Sequence, residues 1–70
     1  MKKEDRERYL ALCNELNAYP PEEHLNERTR DALKRATFFL NLVPQGKGTY
    51  RETLFQASRG ALDAAKDASH

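Results

Sequence analysis

The stretch LKRATFFLNLV (residues 33–43), followed by PQGKG (44–48) and TYRETL (49–54), decides the fold. Apolar residues recur at helical spacing on both sides of a short connection that contains one proline and two glycines. A proline ends a helix, and a short glycine-containing connection favours an antiparallel return of the chain. The stretch therefore predicts an antiparallel helical hairpin, with helices over about 21–43 and 49–69.

The composition favours helices throughout the chain. The 70 residues include nine leucines and nine alanines beside one valine and no isoleucine, whereas strands prefer β-branched residues. This predicts an all-α fold. Helical spacing also predicts an N-terminal helix over about 3–18, which ends before Pro20 and Pro21. Its apolar face consists of Tyr9, Leu12, Cys13, Leu16 and Tyr19. We predict one domain, 1–70, in which residues 1–20 are accessory to the hairpin 21–70.

Local signals predict where the two hairpin helices begin. Pro21 suits the first turn of a helix, and Glu22 and Glu23 after it would lie at the positive end of the helix dipole. At the third helix, Thr49 and Glu52 match a capping box, in which the two side chains bond each other's backbone N–H groups. We therefore expect the second helix to begin near Pro21 and Thr49 to cap the third.

Helical phasing assigns the apolar residues of the hairpin to two surfaces. The first holds the two helices together and consists of Leu33, Ala36, Leu40, Leu54, Ala57, Ala61 and Ala65. The second faces the first helix or a dimer mate and consists of Phe38, Leu42, Phe55 and Leu62. A chain this short buries only about 60% of its unfolded surface, and its single cysteine excludes an internal disulfide. We therefore predict a homodimeric helical bundle.

The sequence lacks the residue patterns of an enzyme. His24 and His70 are the only histidines, and neither stands at a spacing typical of a metal site or of an activated nucleophile. We predict no catalytic residue, no metal and no cofactor. Twelve Lys and Arg against eleven Asp and Glu give no basic excess, which makes nucleic acid an unlikely partner. No apolar run is long enough to insert into a membrane, so we expect a cytoplasmic protein.

Tyr50 is the side chain that stands out at the start of the third helix. It follows the glycine-containing connection, so part of its ring should be exposed to solvent, and exposed tyrosines beside an apolar edge are common binding anchors. The alternative is that the ring folds over Val43 and closes the end of the hairpin. The pattern alone favours neither role.

Segments 33–43 and 49–65 resemble small phage-encoded quorum-sensing anti-activators, which are helical-hairpin dimers. Such proteins bind a LuxR-type transcription regulator of the bacterial host and the ATPase that drives type IV pilus assembly. The matching positions are Leu33, Ala36, Thr37, Phe39, Asn41, Leu42, Val43, Thr49, Tyr50, Arg51, Glu52 and Leu54. A Ser-Tyr pair at the helix start belongs to the family's partner-binding surface. The resemblance therefore implies that Thr49 and Tyr50 bind a partner, with Arg51 beside them.

These observations lead to one principal hypothesis. The chain is expected to be a phage or prophage protein that binds a host regulatory protein or motor ATPase and inhibits it by occupancy, with Thr49, Tyr50 and Arg51 as the docking edge. The alternative is a structural helical oligomer or a small DNA-associated protein. Binding to DNA would weaken steeply as salt is raised.

Overall fold

The computed structural model describes residues 1–69 and contains three α-helices, α1 (Lys3–Asn17), α2 (Glu27–Leu42) and α3 (Gly48–Ala68). Two short 3-10 turns, Glu22–His24 and Val43–Gln45, lie on either side of α2. The described residues form no strand, which confirms the all-α fold and the hairpin with an additional N-terminal helix. His70 is outside the described residues. Within them, no helix combines the length and apolar character needed to cross a membrane.

Helices α2 and α3 form the antiparallel hairpin. Its open end is joined by the Asn26 side chain, whose Nδ2 donates to the Ala68 carbonyl at 2.9 Å. Along the seam, Ala36 and Ala65 are fully buried, because small side chains let two helix backbones approach closely. Ser58 is also buried, and its hydroxyl donates to the Leu54 carbonyl of its own helix. The predicted seam is therefore confirmed except at Ala57, which is only half-buried and lies outside the core.

Helix α1 packs against the hairpin of its own chain and runs parallel to α3. The direction follows from three ion pairs that occur in the same order along both helices. They join Asp5 to Arg51, Arg8 to Glu52 and Glu15 to Arg59. Leu12 is the one residue of α1 that is buried in the common core. The other residues of the predicted apolar face are partly buried against that core: Tyr9, Cys13, Leu16 and Tyr19. The helices thus run up, down and up.

The second helix does not begin near Pro21, whereas the third begins within one residue of the predicted position but without the predicted cap. Helix α2 begins at Glu27, after a separate 3-10 turn, because the Asn26 side chain accepts from the Thr29 N–H at 2.8 Å and caps the helix there. Helix α3 begins at Gly48, and the residue before it provides no side-chain cap. The capping box of Thr49 and Glu52 does not form, because Thr49 lies inside the helix and Glu52 pairs with Arg8.

Candidate protein-binding site

The connection between α2 and α3 forms the end of the hairpin that we call the tip, residues 43–50. Pro44 lies in the 3-10 turn that follows α2, and the Gly46 N–H donates to the carbonyls of Leu42 and Val43 at 3.1 Å each. Gly48 then adopts a positive φ of 57° as α3 begins, a conformation that glycine takes without strain. Hydrogen bonds and backbone chemistry therefore fix the shape of the tip.

Tyr50 lies in the first turn of α3 with 55% of its surface exposed. One edge of its ring is close to the tip backbone, since Tyr50 Cδ2 lies 3.4 Å from the position that a Cβ on Gly46 would occupy. More than half of the residue is open to solvent, which confirms the predicted partial exposure. Thr49 beside it is exposed as well. These two side chains form a small amphipathic surface at the tip.

Arg51 differs from its two neighbours because it points toward α1. Its Nη1 lies 3.3 Å from Asp5 Oδ2, and only 16% of its side chain is exposed. The buried Nε has no hydrogen-bond partner among residues 1–69. The predicted docking edge is therefore divided, with Thr49 and Tyr50 at the surface and Arg51 holding the first helix.

The four residues predicted to face the first helix or a dimer mate also divide into two pairs. Phe55 and Leu62 are buried within the chain, at 2% and 3% exposure. The Arg8 guanidinium covers the Phe55 ring at 4.2 Å from its centroid, so Phe55 faces α1. Phe38 is 62% exposed and Leu42 is partly exposed. Only Phe38 and Leu42 remain available to a second molecule.

The charged contacts between α1 and α3 were not predicted from the sequence. Arg8 donates from Nη1 and Nη2 to the two carboxylate oxygens of Glu52, at 2.7 and 3.1 Å. The hydrogen bond from Arg8 lowers the pKa of Glu52 below its ordinary value of 4.5, and the same bond raises the pKa of Arg8. The sequence held one signal for these contacts, the equal spacing of the charged residues. Residues 8 and 15 of α1 are as far apart as residues 52 and 59 of α3, which is expected where two parallel helices pair side by side.

Comparison of the chain with protein-family models, curated proteins and solved structures gave no match. Its function is therefore inferred from its own residues and from the resemblance of segments 33–43 and 49–65. Within residues 1–69, no group of three or more histidine, cysteine, aspartate or glutamate side chains is placed to hold a metal ion. His24 is exposed in the turn before α2, beside Glu23. Cys13 is partly buried against the core.

Burial affects one further titratable group. Desolvation raises the pKa of Tyr9, and the neighbouring Cys13 raises it further. Both side chains belong to the apolar face of α1 and pack against the core. Their proximity follows from their spacing of four residues along α1.

Proposed function

We propose that this protein binds another protein through the hairpin tip and inhibits it by occupancy, with Tyr50 as the central contact and Thr49 beside it. The exposed Tyr50 ring is the observation on which the proposal rests. Tyrosine is enriched among the residues that dominate binding energies. A tyrosine ring also has few rotatable bonds, so little side-chain freedom is lost when a partner covers it.

The resemblance provides the class of partner. Thr49 and Tyr50 match the pair that lies in the binding surface of the phage anti-activators, and both are at the surface in this fold. The proposed partners are therefore a LuxR-type quorum-sensing regulator and the type IV pilus assembly ATPase of a bacterial host. In this proposal Arg51 orders α1 and does not contact the partner, because Asp5 already occupies its guanidinium.

Replacing Tyr50 by alanine in the full chain tests the proposal. We expect the affinity for the purified regulator or ATPase to fall about thirtyfold, since a residue of this kind contributes ~2 kcal/mol. Isothermal titration calorimetry measures the change, and circular dichroism checks that the variant remains helical.

The matched control is Leu10→Ala, which shortens another exposed apolar side chain, on α1. It should bind as the wild type does. A folded Tyr50→Ala variant with wild-type affinity would show that the tip is not the binding site. If the wild-type chain binds neither purified protein, the proposed partners are wrong.

We also propose that the chain forms a homodimer through the surface that contains Phe38 and Leu42. Phe38 is the most exposed of the large apolar residues, and its ring packs edge-to-face against Phe39, with centroids 5.6 Å apart. Phenylalanine is enriched in protein interfaces relative to the rest of the protein surface. A second copy would cover it without using the tip residue Tyr50.

A further inference from the structure

A cleft lies between the end of α1, the turn that follows and the outer side of α2. Its volume is about 320 Å³, at the lower end of the roughly 300–1,000 Å³ found for small-molecule sites. The apolar part of its lining consists of Leu16, Tyr19, Pro20, Leu25 and Leu33. Every residue of this group except the exposed Pro20 packs in or against the core. The cleft therefore has a supported apolar floor.

Two cations lie on one side of this floor, and they share a single carboxylate. Lys34 Nζ lies 3.5 Å from Glu22 Oε1, and Arg30 Nε lies 4.0 Å from the same oxygen. The Arg30 guanidinium also donates from Nη2 to the Leu25 carbonyl at 3.1 Å. Its Nε is buried and has no hydrogen-bond partner among residues 1–69. The lining has a net positive charge, because it contains two cations and one carboxylate, Glu22.

We infer that this cleft binds a small molecule with an apolar tail and a carboxylate group. The tail would lie on Leu16 and Leu33, and the carboxylate would accept from Arg30 and from Lys34. Guanidinium groups bind carboxylates with strong, charge-assisted hydrogen bonds. Glu22 is the group with which such a ligand competes, because its carboxylate now lies near both cations.

The cleft is separate from the proposed protein-binding site. It is formed by the end of α1, the first turns of α2 and the segment between them, and it includes none of Thr49, Tyr50 and Arg51. A ligand there would contact α1 and α2 together. Its binding can therefore be tested without any protein partner.

The test compares two ligands of nearly equal shape, 3-phenylpropionate and its uncharged amide, 3-phenylpropionamide, on the full-length chain. Titration followed by amide chemical shifts should show saturable changes at Leu16, Leu25 and Leu33 with the acid. The amide should bind about tenfold more weakly or worse, as expected from the loss of one charge-assisted hydrogen bond. Arg30→Gln should reduce the affinity for the acid to that for the amide.

Two variants make the result specific. Glu22→Gln should bind the acid more tightly than the wild type does, because the competing carboxylate is removed. Arg28→Gln removes an exposed arginine that borders a different hollow, on the side of α2 toward Ala64, and should leave the affinity unchanged. Equal binding of acid and amide, or shift changes away from the cleft, would overturn the inference. So would an absence of saturable binding.

Discussion

Gly48 has the only positive φ among residues 1–69, at 57°. An alanine there would keep a left-handed backbone that costs an L-residue about 1–2 kcal/mol. We expect Gly48→Ala to lower the free energy of unfolding by about that amount, although no atom beyond its neighbours lies within 4 Å of the added Cβ. Urea denaturation followed by circular dichroism measures the change.

Gly60 is the matched control for this substitution. It lies in the middle of α3, has no contact within 4 Å at the Cβ position and does not have a positive φ. Because alanine favours a helix over glycine by roughly 0.5–1 kcal/mol, Gly60→Ala should stabilise the protein. Two changes of the same sign would show that backbone conformation at Gly48 does not determine the outcome.

The surroundings of Tyr50 could be predicted from the sequence, but those of its neighbour Arg51 could not. The exposure of Tyr50 followed from local features, because a polar aromatic residue after two glycines at a helix start has little chain around it. The inward direction of Arg51 depends on Asp5, which lies 46 positions earlier in the chain. No local pattern contains that contact. It could be found only after the position of α1 was known.

At the level of the helices, Asn26 caps α2 whereas Thr49 does not cap α3. Replacing each by alanine should therefore affect the free energy of unfolding differently. Asn26→Ala removes the side chain that accepts from the Thr29 N–H and caps α2. It should lower the free energy of unfolding by about 1 kcal/mol. Thr49→Ala should change it little, because Thr49 lies inside α3 and its side chain caps nothing. Thermal and urea unfolding of the two variants make the comparison.

The start of α2 and the cap of α3 show why two local predictions failed. Thr49 and Glu52 have the right spacing for a capping box, but a bidentate contact with Arg8 occupies the Glu52 carboxylate. Pro21 has the right backbone for a first turn, yet the 3-10 turn after it ends at His24. In each case a contact or a cap elsewhere outweighed the local signal. The cap of α3 was therefore predicted incorrectly because a tertiary contact competes with it, and the start of α2 because the local cap at Asn26 was overlooked.

Helix α1 should detach from the hairpin more easily than α2 separates from α3. Its contacts include one buried residue, Leu12, the partly buried pair of Asp5 with Arg51 and two exposed ion pairs. Exposed pairs contribute only about 0.2–1 kcal/mol each. Raising the salt concentration from about 0.05 to 1 M shortens the screening length to roughly 3 Å. The protection of the α1 backbone amides against hydrogen exchange should then fall more than that of the α2 amides.

The pKa of Glu52 adds a pH dependence with a defined sign. The fold lowers this pKa. The ion pair with Arg8 therefore stabilises the packing of α1 on the hairpin at every pH above the ordinary pKa of 4.5. The contribution is lost as the pH falls through the lowered pKa. Amide protection in α1 should therefore decrease in acid. In the Glu52→Gln variant, the amide protection of α1 should already be lower at neutral pH, and it should decrease less on acidification. An identical pH response in the variant and the wild type would contradict the role given to Glu52.

For the molecule as a whole, the proposed homodimer can be tested by removing one ring. Sedimentation equilibrium should show a dimer of the wild-type chain at micromolar concentration and a shift toward monomer for Phe38→Ser. Circular dichroism should show unchanged helicity, because Phe38 is 62% exposed in the single chain. Leu10→Ser, at another exposed apolar residue, is the control and should remain dimeric. A wild-type monomer would overturn the proposal.

The overall architecture could be predicted from the sequence in part. Helical spacing and composition were sufficient for three helices and for the hairpin, since both depend on neighbouring residues. The place of α1 was not predicted, because packing in the same chain and packing on a second copy bury the same apolar face. That choice also determined the position of Phe55, which now lies beneath Arg8. The apolar surface left for a dimer is therefore smaller than the sequence suggested.

The parallel course of α1 and α3 brings the beginning of the chain to the tip. Lys2 and Gly48 border the same shallow hollow, whereas the last turn of α3 lies at the opposite end, where Asn26 bonds the Ala68 carbonyl. An affinity tag or fluorescent label fused before Lys2 would therefore project next to Tyr50 and obstruct it. The same label fused after α3 leaves that ring accessible, so the position of the label alone can decide whether an interaction assay succeeds.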